Sequence, residues 1–577
     1  MSRLRGLLLA RISRIRSASR SIAAIACAVV AAFVTAGALA QVQLPPSVDP
    51  GRVDERAAPP RKPAPRPAPP EIRSPAPAAL PDALKAVRVR LKEVSIEGSA
   101  VLMEQAWALA NRYVGREITA AEIFELAREL TALYRNAGYI LSQVIVPPQT
   151  LSDGRLALRV VEGYIANVRV EGDTEVAGKL AALGEKIKAS RPLKAGDLER
   201  YLLIANDLPG VRVRAVLSPS QAGVGAADLT LVASVKKIDG SLSLDNYGSK
   251  YLGPWQLSIG AGLNQVFGAN DQWRFTGVTT GNTELSYGQL SYSQIVNAEG
   301  LKLGASASQA RTRPGDALKQ FDVRGEADTI SFSAGYPLLR TRNESLLGRA
   351  VLDLRNIITD IGGARAIEEK LRVLRLGMTW AVFDRLDGNN VLDVELSNGL
   401  GGTKQDDILQ SRVGADQQFR KLSFDYERFQ RLGTSFGVTL GAAGQWTDEP
   451  LSSSEQFALG GRRFGRAYEP AELVGDRALA FRMEPAYLGR TDSEWLSACH
   501  LYGFYDLGKV WFNDSAPSAN RPPLSLASAG FGTRVFSGDR ISATLELAKP
   551  LTRDIASYQA DNKGRRARIL GSVVLRF

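Results

Sequence analysis

The amino-acid sequence predicts a transmembrane β-barrel of about 16 antiparallel strands, preceded by two small α+β units of order β-α-α-β-β. Three observations lead there. After Lys237 helical patterns stop, and segments of about ten residues alternate in character between Gly, Asn, Asp and Pro. About sixteen of these segments fit between Ser241 and Phe577, at the length a tilted membrane strand needs. Ahead of them, from Val87, one arrangement of strands and helices occurs twice.

Residues 1–40 place six arginines before any acid, then a nearly apolar run from Ile22 to Ala36, then Ala38-Leu39-Ala40. Small residues at −3 and −1 before Gln41 give the layout of a secretory signal peptide. A membrane anchor is the alternative, but the apolar run is short of the roughly 20 residues a spanning helix needs. Ala24-Ile25-Ala26-Cys27 is a poor lipoprotein box, because the apolar run continues past the cysteine. No later stretch has 18 consecutive apolar residues, so no spanning helix is expected.

Residues 41–86 form a linker. Pro45 to Pro81 holds 13 of the 28 prolines, with Pro63, Pro65, Pro67 and Pro69 alternating. Such a run prefers an extended polyproline spacer and also suits peptide recognition. Val48–Ala57 carries only a weak helical signal, and no convincing helix precedes the spacer.

The first unit spans residues 87–163. Arg88–Ile96 alternates with period two, Leu102–Tyr113 reads as a helix, and Thr119-Ala-Ala-Glu122 is a capping box. The box opens a helix with Ile123, Leu126, Ala127, Leu130, Leu133 and Tyr134 on one face, which Gly138 is placed to end. Strands follow at Ile140–Val146 and Arg155–Val161. The second unit, residues 164–237, repeats the order with a strand at Tyr164–Val170 and helices at Val176–Lys188 and Asp197–Asp207. Strands at Val211–Leu217 and Asp228–Val235 complete it, and Leu208-Pro209-Gly210 supplies the turn from helix to strand.

The barrel spans residues 238–577. Leu301, Leu303, Ala305 and Ala307 alternate with Lys302, Gly304, Ser306 and Ser308; Ile541, Ala543, Leu545 and Leu547 alternate with Ser542, Thr544 and Glu546. A soluble sandwich also alternates; the number and length of the segments favour a closed barrel with a polar lumen, which satisfies every backbone group in lipid. Ile569, Gly571, Val573, Leu575 and the terminal Phe577 fall on one face.

One loop, residues 448–477, is too glycine-rich and too charged for a core strand. Leu459–Pro470 packs three arginines, three glycines and two aromatics. A connection of this length inside an ordered domain is functional or disordered, and this composition argues for function. On the following strands, parity puts Arg482 and Glu484 opposite Leu479, Phe481 and Met483, and puts Phe504, Asp506 and Gly508 opposite Leu501, Tyr505 and Leu507. If the apolar sets meet lipid, Glu484 and Asp506 point into the lumen.

The tandem units resemble POTRA domains, on Val161-Glu162-Gly163 at the join and Asn206-Asp207-Leu208-Pro209-Gly210 in the second. Leader, paired units, sixteen-strand barrel and loop together resemble the TpsB outer-membrane transporters of two-partner secretion, the haemolysin and filamentous-haemagglutinin exporters. The resemblance covers about residues 87–577. Gly465-Arg466-Ala467-Tyr468 aligns with that family's Val-Arg-Gly-Phe/Tyr loop motif, with Gly465 standing for Val and Ala467 for Gly. A Cβ at Ala467 disfavours a positive φ there. Phe504-Tyr505-Asp506-Leu507-Gly508 matches the family's wall element, and Phe577 its C-terminal barrel signal. The resemblance implies a loop folded inward with Arg466 pairing Asp506; the alternative is that each charge is solvated in a wet channel.

The same resemblance implies a pore in the outer membrane with its POTRA units in the periplasm. These would capture a secreted TpsA-type exoprotein by strand addition, or serve only as rigid spacers. The protein would contact outer-membrane lipid and, during biogenesis, the barrel assembly machinery. Rival readings are an assembly insertase of the same superfamily, which usually carries more POTRA units, a solute porin, which needs no tandem units, and an outer-membrane enzyme. Net charge is +12 and falls to about +6 without the six leading arginines, with no basic cluster, so no nucleic-acid partner is expected. One histidine, His500, and two cysteines, Cys27 and Cys499, leave no metal site, disulfide or His-based triad. No catalytic residue and no cofactor are expected.

Overall fold

The computed structural model describes residues 44–57, 71–72 and 88–577, except 152, 269, 402–408, 413, 492, 494, 514–520 and 553–565. The expected signal peptide and most of the proline-rich linker lie outside the described residues. Among the described residues no helix is long and apolar enough to cross a membrane.

In the first unit, β3 (Glu93–Glu97) pairs in parallel with β6 (Arg155–Val161), and β5 (Gln143–Ile145) pairs antiparallel with β6. Helices α2 (Met103–Ala110) and α3 (Ala120–Asn136) cover the sheet. The capping box forms: Glu122 N donates to Thr119 Oγ1 at 3.3 Å, and Thr119 N donates to Glu122 Oε2 at 2.6 Å. The single strand expected over Arg88–Ile96 is broken. Arg88–Arg90 (β2) pairs with Glu117–Thr119 (β4), and the chain changes partner at the fully buried Leu91, whose N–H goes to Arg116 O.

The second unit has β7 (Tyr164–Gly172), α4 (Ala177–Lys188), α5 (Ala195–Asp207), β8 (Val211–Pro219) and β9 (Ala226–Val235). Its core of Leu180, Leu183, Ile187, Leu198 and Leu229 also takes in Ile295 from the end of a barrel strand. Two linker residues, Glu71–Ile72 (β1), pair in parallel with Val216 and Leu217. Two residues of the β8 edge are therefore covered by the chain's own linker.

Sixteen strands then close into a barrel. They are β10 (Ile238–Asp245), β11 (Gln256–Asn264), β12 (Asp271–Thr280), β13 (Leu285–Ile295), β14 (Lys302–Thr312), β15 (Val323–Arg340), β16 (Glu344–Ile361) and β17 (Ala364–Phe383). Beyond them come β18 (Gly388–Gly399), β19 (Arg420–Leu432), β20 (Phe436–Thr447), β23 (Arg477–Arg490), β24 (Ala498–Trp511), β25 (Leu524–Ser537), β26 (Ile541–Pro550) and β27 (Arg568–Arg576). All neighbours are antiparallel, and β27 pairs with β10 from Ser241↔Arg576 to Asp245↔Ser572. Gly240 and Phe577 extend this seam, each donating its N–H to the other's carbonyl at 2.9 and 3.1 Å.

Outward parity is apolar. Leu376, Met378 and Trp380 on β17, and Leu479, Phe481 and Met483 on β23, are exposed, as lipid-facing side chains must be. The second α+β unit docks against the near-end turns. Glu299, between β13 and β14, takes Lys186 at 3.1 Å, Tyr201 at 3.2 Å and Arg200 at 3.5 Å. Arg340 holds Asp207 through a bidentate pair at 2.7 and 2.9 Å.

Residues 41–86 are not all spacer. Pro46–Val48 and Pro50–Arg52 make 3₁₀ turns, and Val53–Ala57 makes a one-turn helix, α1. This segment lies inside the barrel. Asp54 accepts from Ser308 at 2.8 Å and Thr329 at 2.9 Å, and Val48 O accepts from Thr312 at 3.2 Å. Five residues are too few to hold a helix by propensity alone. The lumen wall supplies the partners, which is why the helix signal in the sequence is weak.

Candidate functional site

The 448–476 connection turns into the lumen and forms a small hairpin, β21 (Phe457–Leu459) against β22 (Leu473–Gly475), whose tip carries Arg466. Arg466 is 4% exposed. Its Nε donates to Asp506 Oδ2 at 3.1 Å and its Nη2 to Asp506 Oδ1 at 3.0 Å, a bidentate pair with β24. Its Nη1 reaches Glu484 Oε2 on β23 and Glu546 Oε1 on β26, both at 3.0 Å. Even its backbone N–H points at Asp506, at 3.2 Å. The guanidinium carbon sits 3.6 Å from the centre of the Phe504 ring, where the π-face attracts a cation.

Each neighbour has a physical task. Gly508 leaves space, since a Cβ there would meet Leu459 at 2.6 Å. Gly465 takes φ +85°, and a Cβ would also meet Leu526 at 2.5 Å, so the position that departs from the family pattern needs glycine here. Ala467 is fully buried and is not among the residues with positive φ. The left-handed turn stands two residues earlier, and a Cβ at Ala467 is tolerated. Tyr468, 1% exposed, donates to Ala527 O at 2.9 Å and accepts from Thr552 N at 3.1 Å. It fixes the loop tip to the wall beside the ion cluster.

Glu546, Arg534, Tyr502, Tyr247 and Ser528 complete the cluster, and sequence reasoning did not single them out for it. Glu546 accepts from Tyr502 at 2.8 Å and Tyr247 at 2.7 Å; Glu484 accepts from Arg534 at 2.6 Å; Ser528 donates to Asp506 at 3.2 Å. Two guanidiniums face three carboxylates, and hydroxyls fill remaining lone pairs. Alternation had already put Glu546 on the face opposite Leu545 and Leu547. What it does not give is height along the barrel, which depends on stagger between strands distant in sequence.

A second luminal cluster holds the descending arm of the loop. Glu455, 2% exposed, takes Arg375 at 2.7 Å and Lys421 at 2.6 Å, and Arg375 also pairs with Asp353 at 2.7 Å. Arg52 of the luminal N-terminal segment donates to Gln456 O at 3.1 Å and to Ser453 O. Among the described residues no group of His, Cys, Asp and Glu is arranged to hold a metal.

The profile of the haemolysin secretion/activation protein ShlB/FhaC/HecB family matches residues 226–535, over half of the chain, and that of the ShlB-type POTRA domain matches residues 89–163. The chain belongs to the ShlB/FhaC/HecB family. The heme/hemopexin transporter protein HuxB of Haemophilus influenzae is 24% identical over 81% of this chain and 84% of its own. The hemolysin transporter protein ShlB of Serratia marcescens is 25% identical over 70% of this chain and 73% of its own. Among solved structures, CdiB from Escherichia coli superposes with a TM-score of 0.67 at 19% identity, covering 87% of this chain and 93% of that one. Members of this family are two-partner secretion transporters of the outer membrane, and their POTRA units, hence the docked end of the barrel, are periplasmic.

Proposed function

We propose that the barrel exports one unfolded exoprotein of TpsA type, captured in the periplasm by the POTRA units through strand addition and passed extended through the lumen. The observation that supports this most is the pairing of linker strand β1 with β8. It is a parallel strand addition made by a short extended peptide, the mode in which an unfolded client would bind. The lumen is occupied by Pro46–Ala57, so export requires this segment to leave or slide. Arg466 and its three carboxylates hold the loop tip against β23, β24 and β26 as a fixed wall beside the path. The relatives' names refer to a haemolysin and to haem/hemopexin. No step draws on a cofactor, and folding outside supplies the drive.

The test is deletion of this chain followed by comparison of secreted polypeptides. Loss of one large exoprotein is expected. A general loss of outer-membrane proteins would instead make the chain an assembly insertase, and loss of small-solute uptake alone would make it a porin.

A further inference from the structure

The second POTRA unit docks at the β13–β14 turn, so the opposite ends of β19, β20, β23 and β24 stand at the outer leaflet. There the outward face carries charge. Arg477 opens β23, and its guanidinium carbon lies 4.4 Å from the centre of the Trp446 ring on β20. Lys509 Nζ, on β24, lies 5.2 Å from the centre of the Trp511 ring. In the ladder Arg477 faces Trp511 and Leu479 faces Lys509, so the two cations stand on a diagonal, about 7–8 Å apart at the backbone. Neither is strongly neutralised. Arg477 donates Nε to Thr447 O at 2.9 Å and Nη2 to Asp448 Oδ1 at 3.3 Å, a carboxylate that is 80% exposed. Among the described residues Lys509 has no ion pair. Arg311, at the outer end of β14 across the barrel, is instead matched by Glu326 at 3.0 Å.

Deeper in the membrane, beneath these cations, the outward surface is hollow. In the row Phe424–Gly444–Leu479 and the row Tyr426–Ala442–Phe481, β20 supplies the small residue between two large ones. The result is an apolar groove of about 540 Å³ walled by Leu422, Phe424, Trp446, Leu479 and Trp511, with Arg477 at its rim. A second recess of about 350 Å³ follows on the same strands, beside Tyr426, Ala442 and Phe481. Any barrel meets lipid with an apolar band, and a smooth band is enough for that. A groove headed by two cations adds shape and charge, and it complements a molecule with apolar tails and an anionic head. The outer leaflet of a bacterial outer membrane is built from phosphorylated, acylated sugars. Phosphate suits both cations, the guanidinium through its fork and the ammonium as a point charge.

We propose that this groove is a specific site for a phosphorylated acyl glycolipid of the outer leaflet, its acyl chains lying along β20 and a phosphate held between Arg477 and Lys509. The site rests on the outer-membrane location and not on the export reading. The test is native mass spectrometry of the purified full-length chain in detergent, titrated with diphosphoryl lipid A, with its dephosphorylated form or with phosphatidylethanolamine. Heat-modifiable gel mobility verifies the folded barrel. The wild-type chain is expected to bind one diphosphoryl lipid A saturably, about 10-fold or more tighter than the other two, the scale of a charge-assisted phosphate contact. Arg477→Gln combined with Lys509→Gln should abolish that preference and leave binding of the dephosphorylated form unchanged. Arg477→Lys should keep part of it. Ala442→Leu, which fills the groove floor without touching charge, should weaken all three lipids alike. Equal binding of the three lipids to the wild-type chain, or an unchanged preference in the folded double variant, overturns the phosphate site. Unsaturable uptake of every lipid reduces the groove to ordinary bilayer contact and overturns it too. A dimer that the double variant abolishes would give the groove to a second copy of the chain and overturn lipid as its occupant. Normal secretion alongside any of these results leaves the export reading standing.

Discussion

Arg466 and Arg52 are both buried in one lumen, yet Arg466 aims every side-chain nitrogen at a carboxylate, whereas Arg52 reaches two backbone carbonyls. The ion partner of Arg52, Asp49, stands at 3.9 Å, and its Nε has no hydrogen-bond partner. Desolvating a charge is costly, and only close, complete pairing offsets it. The loop tip meets that condition and the N-terminal segment does not. One arginine is fully paired with carboxylates; the other is not.

The largest effect should come from Arg466→Ala, which leaves Asp506, Glu484 and Glu546 buried without their shared cation. A loss of about 3–5 kcal/mol at the loop tip is expected, read as exoprotein release falling to background while the barrel stays inserted. Arg466→Lys separates charge from geometry, and its release should remain well below wild type because one ammonium cannot replace the fork. Arg52→Ala removes two hydrogen bonds to neutral carbonyls, about 1.5–3 kcal/mol each, but also relieves the burial of an incompletely paired guanidinium, so the net loss is small. It should raise bilayer conductance while leaving the melting temperature near wild type. If Arg52→Ala destabilises the barrel more than Arg466→Ala, the contrast between the two sites is wrong.

Tyr468→Phe deletes one hydroxyl that bonds Ala527 and Thr552. It should cost about 1–2 kcal/mol in denaturant unfolding and reduce release only in part. The smallest effect lies outside the lumen. At Glu299 burial opposes ionisation, but Lys186, Tyr201 and Arg200 outweigh it and hold the carboxyl below its ordinary value. The sign follows: docking of the second POTRA unit is full above the unfolded value, about pH 4.3, and weakens as pH falls through the lower folded one. Spin labels on α5 and on the β13–β14 turn should show a slightly broader distance distribution below that pH than above it. Partly exposed ion pairs of this kind contribute little, about 0–1 kcal/mol.

The barrel was legible in the sequence because period two is strict where one face meets lipid and the other water. Leu479, Phe481 and Met483 fall on the lipid face by alternation alone, and the count of about sixteen strands follows from the same pattern. Gly465-Arg466-Ala467-Tyr468 and Phe504-Tyr505-Asp506 stood out by composition and by resemblance. Glu546 and Arg534 did not, because what brings them to Arg466 is strand stagger, which leaves no local pattern. The luminal segment was read as spacer for a related reason. Arg52 and Asp54 look like ordinary surface charges until the wall that surrounds them is known. The break at Leu91 is a case of one residue serving two partners, which an unbroken alternation conceals.

The seam has one more implication, for how the molecule is made. A Cβ on Gly240 would strike the Phe577 ring at 2.3 Å, so the first strand of the cylinder is shaped to receive the final side chain. Strand β27 is the last of the cylinder in chain order. Until it emerges, β10 has no partner along its outer edge, and such an edge invites wrong pairing. The polypeptide must therefore be kept open until β27 reaches β10, and bulk placed directly after Phe577 would sit where the cylinder has to shut.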